Sequence, residues 1–238
     1  DRNIHTETQG TKLGIEIHGL AYAFDRPDDT IFKNTIFVHY DFYNRSQNTY
    51  DTTYIGVFCD MDLGYDHDDY VACDVERSSF YTYNGRPVDG SGQPFAYGED
   101  PPAQSVTVLK GPLMDADEID NPHFDNNGYP LCNESVNGTD FGDTIVDNEN
   151  MGLRKFVYYN NSGGYNGLPD KAMDHYNYLR GRWKNGAQMI YGGDATPWGV
   201  GLGPECDFMF PGNTDTLNWG TGCTPPNGSK LWSEEYAN

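Results

Sequence analysis

The sequence predicts an all-β fold, an antiparallel β-sandwich with one surface helix and long loops. Apolar and polar residues alternate in several short runs, which is the period-two pattern of half-buried strands. Glycine (28 residues) and proline (14 residues) are frequent, which indicates many turns. One stretch alone repeats apolar residues at helical spacing. We therefore expect residues 1–238 to form a single sandwich-like domain, part of a longer secreted protein.

The predicted strands share alternation or a high content of β-branched and aromatic residues: 13–24, 31–43, 52–59, 78–83, 105–109 and 153–159. Residues 31–43 and 52–59 are joined by a short polar connection, so we expect them to pair as an antiparallel hairpin. The acidic stretch that follows Cys59 is then a loop at the far end of that hairpin.

The helix is predicted between Pro169-Asp170, a helix start, and Asn185-Gly186, a helix end. Apolar residues recur between these signals at helical spacing: Met173, Tyr176, Leu179 and Trp183. This stripe is most simply a packing face against the sheet.

Composition limits the partners of the protein. The formal net charge of −21 repels nucleic-acid backbones and anionic membranes, so we predict neither partner. The sequence has no apolar run of the roughly 18 residues that a membrane-spanning helix needs. Hydrophobic residues make up only 37% of the chain, but the 14% that are aromatic bury a large area each, so a core can still form. The negative charge suits divalent cations or simple solubility.

The five cysteines include no Cys-x-x-Cys pair and no zinc-type Cys/His cluster, which favours one or two disulfides in an oxidising compartment. A Cys59–Cys73 bond would close the acidic stretch at its base, and a Cys206–Cys223 bond would close a glycine-rich loop. Spacing does not fix the connectivity, and the odd count leaves one thiol over.

The acidic stretch Asp60–Asp74 contains six aspartates in fifteen residues and no Lys or Arg. Like charges so close together repel, and a bound cation would neutralise them. Calcium takes six to eight oxygen ligands, and Asp-x-Asp-x-Gly begins like a calcium loop. The candidate ligand set is Asp60, Asp62, Gly64, Asp68, Asp69 and Asp74. The loop is not an EF-hand, because glycine is fifth and Val71 is twelfth. The alternative is a solvated acidic loop.

Two further acidic clusters lie in the irregular stretch 111–151, which is long enough to suggest function or bound ions. The first contains Asp115, Asp117 and Asp120, and the second contains Asp143, Asp147 and Glu149. Both are candidate calcium sites, so the long loops are predicted as ion-binding loops. Both can equally be solvated loop charge.

Catalytic signals are weak, and we predict no catalytic residues. The sequence has no nucleophile elbow, no His-Glu-x-x-His and no phosphate loop. A glycosidase needs two catalytic carboxylates, and the 36 acidic residues are compatible with such a pair but do not indicate which two would form it. Three tryptophans in glycine-rich segments could stack on sugars, or anchor their loops to the core: Trp198, Trp219 and Trp232.

A set of short segments, spread over residues 13–232, carries a family resemblance. The segments are Asp60-Met-Asp-Leu-Gly64, Asp68-Asp-Tyr-Val-Ala-Cys-Asp74, Tyr83-Asn-Gly85, Val88-Asp-Gly-Ser-Gly-Gln-Pro94, Gly111-Pro112, Asn121-Pro122, 141–149, 156–159, 178–181 and 208–212. In content and order they resemble a family of long secreted proteins of Bacteroidota that are exported by the type IX secretion system.

The resemblance implies an extracellular or cell-surface protein in which the two Asp-rich segments form a structural ion site. The family's usual form of the first segment is Ser-Asp-Pro-Asp-Leu-Gly. Here Cys59 replaces the serine and Met61 the proline, and both carboxylates are kept. Thr82 stands where relatives often have cysteine, so no disulfide is carried over from them. Two functions are open: a calcium-stabilised structural or adhesive module that binds other surface proteins, or a carbohydrate-binding or carbohydrate-active module.

Overall fold

The computed structural model describes residues 10–198, 203–226 and 231–237. The strands that pair in this part of the chain are antiparallel, and the helices are short. A mainly-β fold is thereby confirmed. The chain divides into two compact units, residues 1–53 and residues 54–238.

The first unit contains a two-stranded hairpin, β1 (Ile15–Ala23) paired with β2 (Ile36–Asn44). A short helix, α1 (Thr30–Lys33), lies between the two strands. The predicted strand at 13–24 is confirmed, but the start of the one at 31–43 is wrong. The reason is the side chain of Asp29, which accepts hydrogen bonds from the N–H groups of Ile31 and Phe32 at 3.0 and 3.2 Å and so begins a helix.

The predicted hairpin between residues 31–43 and 52–59 is also wrong. Strand β2 pairs with β1, and residues 52–59 form no strand. Residues 54–59 instead lie beside the helix at 172–179: Tyr54 meets Tyr176 edge-on, and a Cβ atom at Gly56 would come within 2.3 Å of the Leu179 side chain. A larger residue at Gly56 would require the Leu179 side chain to move.

The second unit is built on a three-stranded sheet of β3 (Asp69–Asp74), β4 (Ser79–Asn84) and β7 (Gln104–Thr107), in the order β3-β4-β7. In the sequence between β4 and β7, two short strands, β5 (Val88–Asp89) and β6 (Gly98–Glu99), pair with each other as a separate small sheet. The predicted strands at 78–83 and 105–109 are confirmed as β4 and β7. The predicted strand at 153–159 is reduced to one bridge between Phe156 and Phe208.

The helix α2 spans Ala172–Leu179, and a four-residue helix, α3 (Glu234–Ala237), lies near the C-terminus. Helix α2 is shorter than predicted because Gly181, with φ of +69°, turns the chain away before Trp183. The Trp183 indole is buried beyond the helix and donates to the carbonyl of Ala195 at 2.9 Å. Aromatic and methionine side chains around it form much of the core: Tyr178, Met189, Tyr191, Met209, Phe210 and Trp232.

One disulfide, Cys132–Cys223, closes a long part of the second unit, with a sequence separation of 91. Both anticipated pairings, Cys59–Cys73 and Cys206–Cys223, are wrong, since Cys59, Cys73 and Cys206 are free thiols. The thiol of Cys73 points into the core from β3 and donates to the carbonyl of Met209 at 3.2 Å. Among the described residues, no helix is long and apolar enough to cross a membrane.

Candidate functional site

The acidic stretch is half loop and half strand. Residues 60–68 form a loop, Asp69 begins β3, and Asp74 ends it. Five residues of strand put Asp74 roughly 17 Å along β3 from Asp69. The Asp74 carboxylate is held there by Arg77, with 2.6 Å between Oδ2 and the guanidinium. Asp74 therefore lies apart from the aspartates that gather at the start of β3.

Four carboxylates meet at the start of β3. Burial is the main cause that raises the pKa of Asp69. The hydrogen bond that its carboxylate accepts from the Leu63 N–H lowers this pKa. The nearby negative charges of Asp68, Asp89 and Asp62 raise it further. The Asp68 side chain is buried, with the residue only 6% exposed, and its Oδ2 accepts from the Gly90 N–H at 3.1 Å. We call Asp62, Asp68, Asp69 and Asp89 the carboxylate cluster.

Three buried oxygen atoms at this point have no hydrogen-bond partner: Asp68 Oδ1, Asp69 Oδ1 and Asn84 Oδ1. Asp69 and Asn84 are directly opposed across the β3–β4 pair, and Asp68 precedes Asp69, so all three belong to one end of the sheet. Buried polar atoms are nearly always paired, and leaving a carboxylate oxygen unpaired is costly. Three buried acceptors without a protein donor therefore lie at this end of the sheet, and oxygen acceptors of this kind are the ligands that hard cations take.

Asp89 is a member of the cluster that sequence reasoning missed as a site residue. It is 1% exposed and ends β5, and its carboxylate accepts from the N–H groups of Tyr65, at 3.0 Å, and Tyr97. Gly64 lies against it, with φ of +77°, and a Cβ there would come within 2.1 Å of Asp89 Oδ2. Gly64 is therefore required for close approach of the loop to Asp89 as well as for the turn.

Asn84 is not among the predicted ligands, and its sequence with Gly85 is typical only of a tight turn. Its amide nitrogen donates to the carbonyl of Arg86 at 2.6 Å, which orients its Oδ1. Asp60, in contrast, is not a member of the carboxylate cluster. It acts on Tyr159, whose pKa is raised by burial and then by the Asp60 charge.

The two later acidic clusters interlock in the loops between residues 114 and 150. The Asp147 carboxylate accepts from the N–H groups of Asp117 and Glu118 at 2.7 and 2.9 Å. The Asp120 carboxylate accepts from Gly142 and Thr144 at 2.9 and 2.7 Å. These carboxylates accept hydrogen bonds from backbone N–H groups that no strand or helix pairs. They thereby hold the loops together.

The remaining members have related contacts. Glu149 is 2% exposed and accepts from the Asn121 N–H, and Asp143 accepts from the Ile145 N–H and the Asn148 amide at 2.8 and 2.9 Å. Asp115 is exposed. Because most of these carboxylates already have protein donors, the later loops contain fewer buried, unpartnered oxygens than the start of β3.

In the described part of the chain, no three His, Cys, Asp or Glu side chains are arranged to hold one metal ion. The unpartnered oxygens at the start of β3 belong to two aspartates and one asparagine, so this group has only two side chains of the His, Cys, Asp or Glu types. A cation there needs Asn84 as a ligand in addition to the aspartates.

The three tryptophans differ in exposure. Trp232 is 3% exposed, contacts Tyr191 and Phe210, and donates from its indole to the Gly193 carbonyl at 2.9 Å. Trp219 is half-buried. Trp198 is 61% exposed and meets the ring of Tyr165 edge-on at 4.8 Å. Only Trp198 of the three presents most of its surface to solvent.

A shallow pocket of about 330 Å³ lies elsewhere in the second unit. Its lining residues are Pro122, His123, Phe124, Phe141 and Gly142. His123 is its one titratable residue, and it meets Phe124 edge-on at 4.5 Å between ring centroids. The lining of this pocket pairs His123 with no acid, second base or nucleophile, so the pocket by itself does not form a catalytic arrangement.

Comparisons with protein-family models, with curated proteins and with solved structures found no match to this chain.

Proposed function

We propose that this protein is a calcium-stabilised, extracellular structural or adhesive module, with the ion at the start of β3. One observation carries the proposal: three buried oxygens on Asp68, Asp69 and Asn84 lack any hydrogen-bond partner. Nothing else in the cluster offers a donor to them, because its other members are carboxylates. A cation is the simplest partner for such a group.

The ligand chemistry favours calcium over other ions. The available atoms are carboxylate and amide oxygens, which suit calcium and magnesium and do not favour zinc. Calcium accepts six to eight oxygens in irregular geometry, so backbone carbonyls and water can complete the shell around Asp68, Asp69 and Asn84. Magnesium needs near-ideal octahedral geometry and keeps several waters, which fits a buried site poorly. Asp89 has its oxygens on backbone donors, so its role is to position the loop.

The wider setting of the module is also part of the proposal. The Cys132–Cys223 disulfide supports an oxidising compartment, as expected of a secreted or cell-surface protein. Export by the type IX secretion system and a place among Bacteroidota surface proteins are supported by the resemblance of the sequence segments. A β-sandwich with calcium-binding loops is the fold that we propose for this module.

Thermal unfolding of the full chain tests the calcium proposal. The midpoint is expected to rise in millimolar calcium relative to a chelator, because a ligand that binds only the native state stabilises it by mass action. Magnesium at the same concentration is the matched control and is expected to raise the midpoint less. An unchanged midpoint on adding calcium would reject the proposal.

The second candidate function, carbohydrate binding, is favoured by the exposed ring of Trp198 beside Tyr165. A large ring supported by an aromatic neighbour suits stacking on a sugar face. A glycan array is the test, with Trp198→Ala compared with Tyr129→Ala, a change at another exposed aromatic residue. Binding that is lost only in Trp198→Ala supports this function. Absence of binding, and of turnover in a hydrolase screen, leaves the structural role.

A further inference from the structure

Residues 54–62 form a segment that leads into the carboxylate cluster, and we call it the lead-in segment. Its residues belong to no strand or helix. Within the described part of the chain, none of its backbone N–H groups donates a hydrogen bond. Backbone hydrogen bonds are the usual restraint on a chain segment, so this one depends on side chains and on its ends.

The side chains of the lead-in segment are only partly engaged. Tyr54 meets Tyr176 edge-on at 5.7 Å between ring centroids, and Phe58 stacks on Tyr159 at 5.9 Å. Phe58 nevertheless remains largely exposed, as do Ile55 and Val57. Apolar side chains that stay in water contribute little burial free energy, so these contacts hold the segment weakly.

The C-terminal end of the segment is anchored by the carboxylate cluster. The N–H of Leu63, the residue that follows the segment, donates to Asp69 Oδ2 at 2.8 Å. The N–H of Tyr65 donates to Asp89 Oδ1 at 3.0 Å. Both acceptors belong to the group of mutually repelling carboxylates. The anchor is therefore secure only when the repulsion is neutralised.

We propose that calcium at the carboxylate cluster controls the order of the lead-in segment, so that removal of calcium releases residues 54–62 while the sheet and core of the second unit stay folded. This inference rests on the proposed calcium site and adds a regulatory consequence. Release would remove Phe58 from Tyr159, which itself stacks on the buried Tyr178 at 4.7 Å. Low calcium would thereby expose an aromatic surface that high calcium covers.

The chain carries its own reporters of this release. Cys59 is a free thiol of intermediate exposure in the lead-in segment, packed against the cluster of Cys73, Val75 and Phe80. Cys73 and Cys206 are free thiols buried in the core. Release of the segment exposes Cys59 alone, whereas global unfolding exposes all three thiols.

Pulsed alkylation of the full, non-reduced chain, read by mass spectrometry, tests the inference. With calcium at ten times its dissociation constant, mass action suppresses opening about elevenfold relative to a chelator. We expect the alkylation rate of Cys59 to rise by about that factor when calcium is removed, with Cys73 and Cys206 still protected. Equal exposure of all three thiols, or an unchanged rate at Cys59, would overturn the inference.

Calcium binding is measured on the same samples by titration calorimetry, which separates the two possible failures. If calcium binds and Cys59 does not respond, the site stands and the control of the segment fails. If calcium does not bind, the proposed function itself fails. Asp68→Asn removes one ligand and one repelling charge, so the alkylation rate of Cys59 in this variant is expected to be the same with calcium and with chelator. Asp66→Asn, a change at an exposed residue two positions away, is the matched control and should behave as the wild type.

Discussion

The Asp68→Asn variant is expected to be more stable than the wild type in a chelator and less stable than the wild type in calcium. Asp68 is almost fully buried; one oxygen accepts from the Gly90 N–H and the other has no partner. Asparagine keeps an acceptor for Gly90 and removes the charge. Its amide nitrogen also adds a donor at the end of the sheet where Asp69 Oδ1 lacks a partner.

The magnitudes follow from these contacts. Without calcium, the variant removes a buried unsatisfied acceptor, a change worth about 1–3 kcal/mol, so it is expected to be more stable than the wild type. With calcium at 1,000 times its dissociation constant, the wild type gains about 4.1 kcal/mol that a site lacking this ligand does not. The variant is then less stable by about 1–3 kcal/mol. For a unit of this size, each kcal/mol moves the melting midpoint by about 2–4 °C.

Thermal melts of both proteins in both solutions provide the assay. Asp66→Asn is the control: its exposed carboxylate, whose partner is His67 at 3.1 Å, should change the midpoint little in either solution. An Asp68→Asn shift of the same sign and size with and without calcium would refute the assignment of Asp68 as a ligand.

Three other variants test separate parts of the structure. The pKa of Asp69 is raised from its ordinary value of 3.8, chiefly by burial. The negative charge of Asp69 therefore destabilises the folded chain at pH values above the raised pKa. This destabilisation disappears as the pH falls below 3.8, where the carboxyl is protonated in both the folded and the unfolded chain. In a chelator, Asp69→Asn should therefore melt above the wild type at neutral pH, and the gap should close as the pH falls through that window; a gap independent of pH contradicts this. Replacing both Cys132 and Cys223 by serine should cost up to about 4–5 kcal/mol in denaturant melts, since the bond closes a sequence separation of 91; a loss under 1 kcal/mol would mean that the loop is held by other contacts. Trp183→Phe should cost about 2–4 kcal/mol, because it leaves a cavity and deprives the Ala195 carbonyl of its donor; a neutral result in the same melts would show that the core repacks.

The sequence predicted the strands best where alternation and a nearby partner coincide. Strands β1 and β4 lie close to their predicted positions. Residues 54–58, in contrast, are an apolar run in which Ile55, Val57 and Phe58 all stay exposed. Apolar and β-branched content does not supply a hydrogen-bond partner for the backbone, so the predicted strand there is wrong.

The helix ends earlier than its apolar periodicity predicts. Trp183 continues the helical spacing of Met173, Tyr176 and Leu179, yet the helix ends first. Gly181 marks the end: a Cβ there would come within 2.6 Å of the Lys155 side chain, and its φ is positive. The contact with Lys155, 26 positions away in sequence, could not be read from local spacing.

The candidate site was predicted as one loop but is assembled from three segments. Asp68 and Asp69 come from the acidic stretch, Asn84 from the end of β4, and Asp89 from β5. The partner of Asp69 across the sheet depends on the β3–β4 register, which places Asn84 opposite it. The Asn-Gly pair at 84–85 indicates only a turn, so the candidate amide ligand became apparent only once the register was known.

A crystal structure of the full chain grown with calcium chloride tests the central claim most directly, with the ion identified by its anomalous signal. The account predicts one ion within roughly 2.3–2.6 Å of Asp68 Oδ1, Asp69 Oδ1 and Asn84 Oδ1, with six to eight oxygens in total. Water in place of an ion at these three atoms, or calcium bound solely at the later acidic clusters, would contradict it.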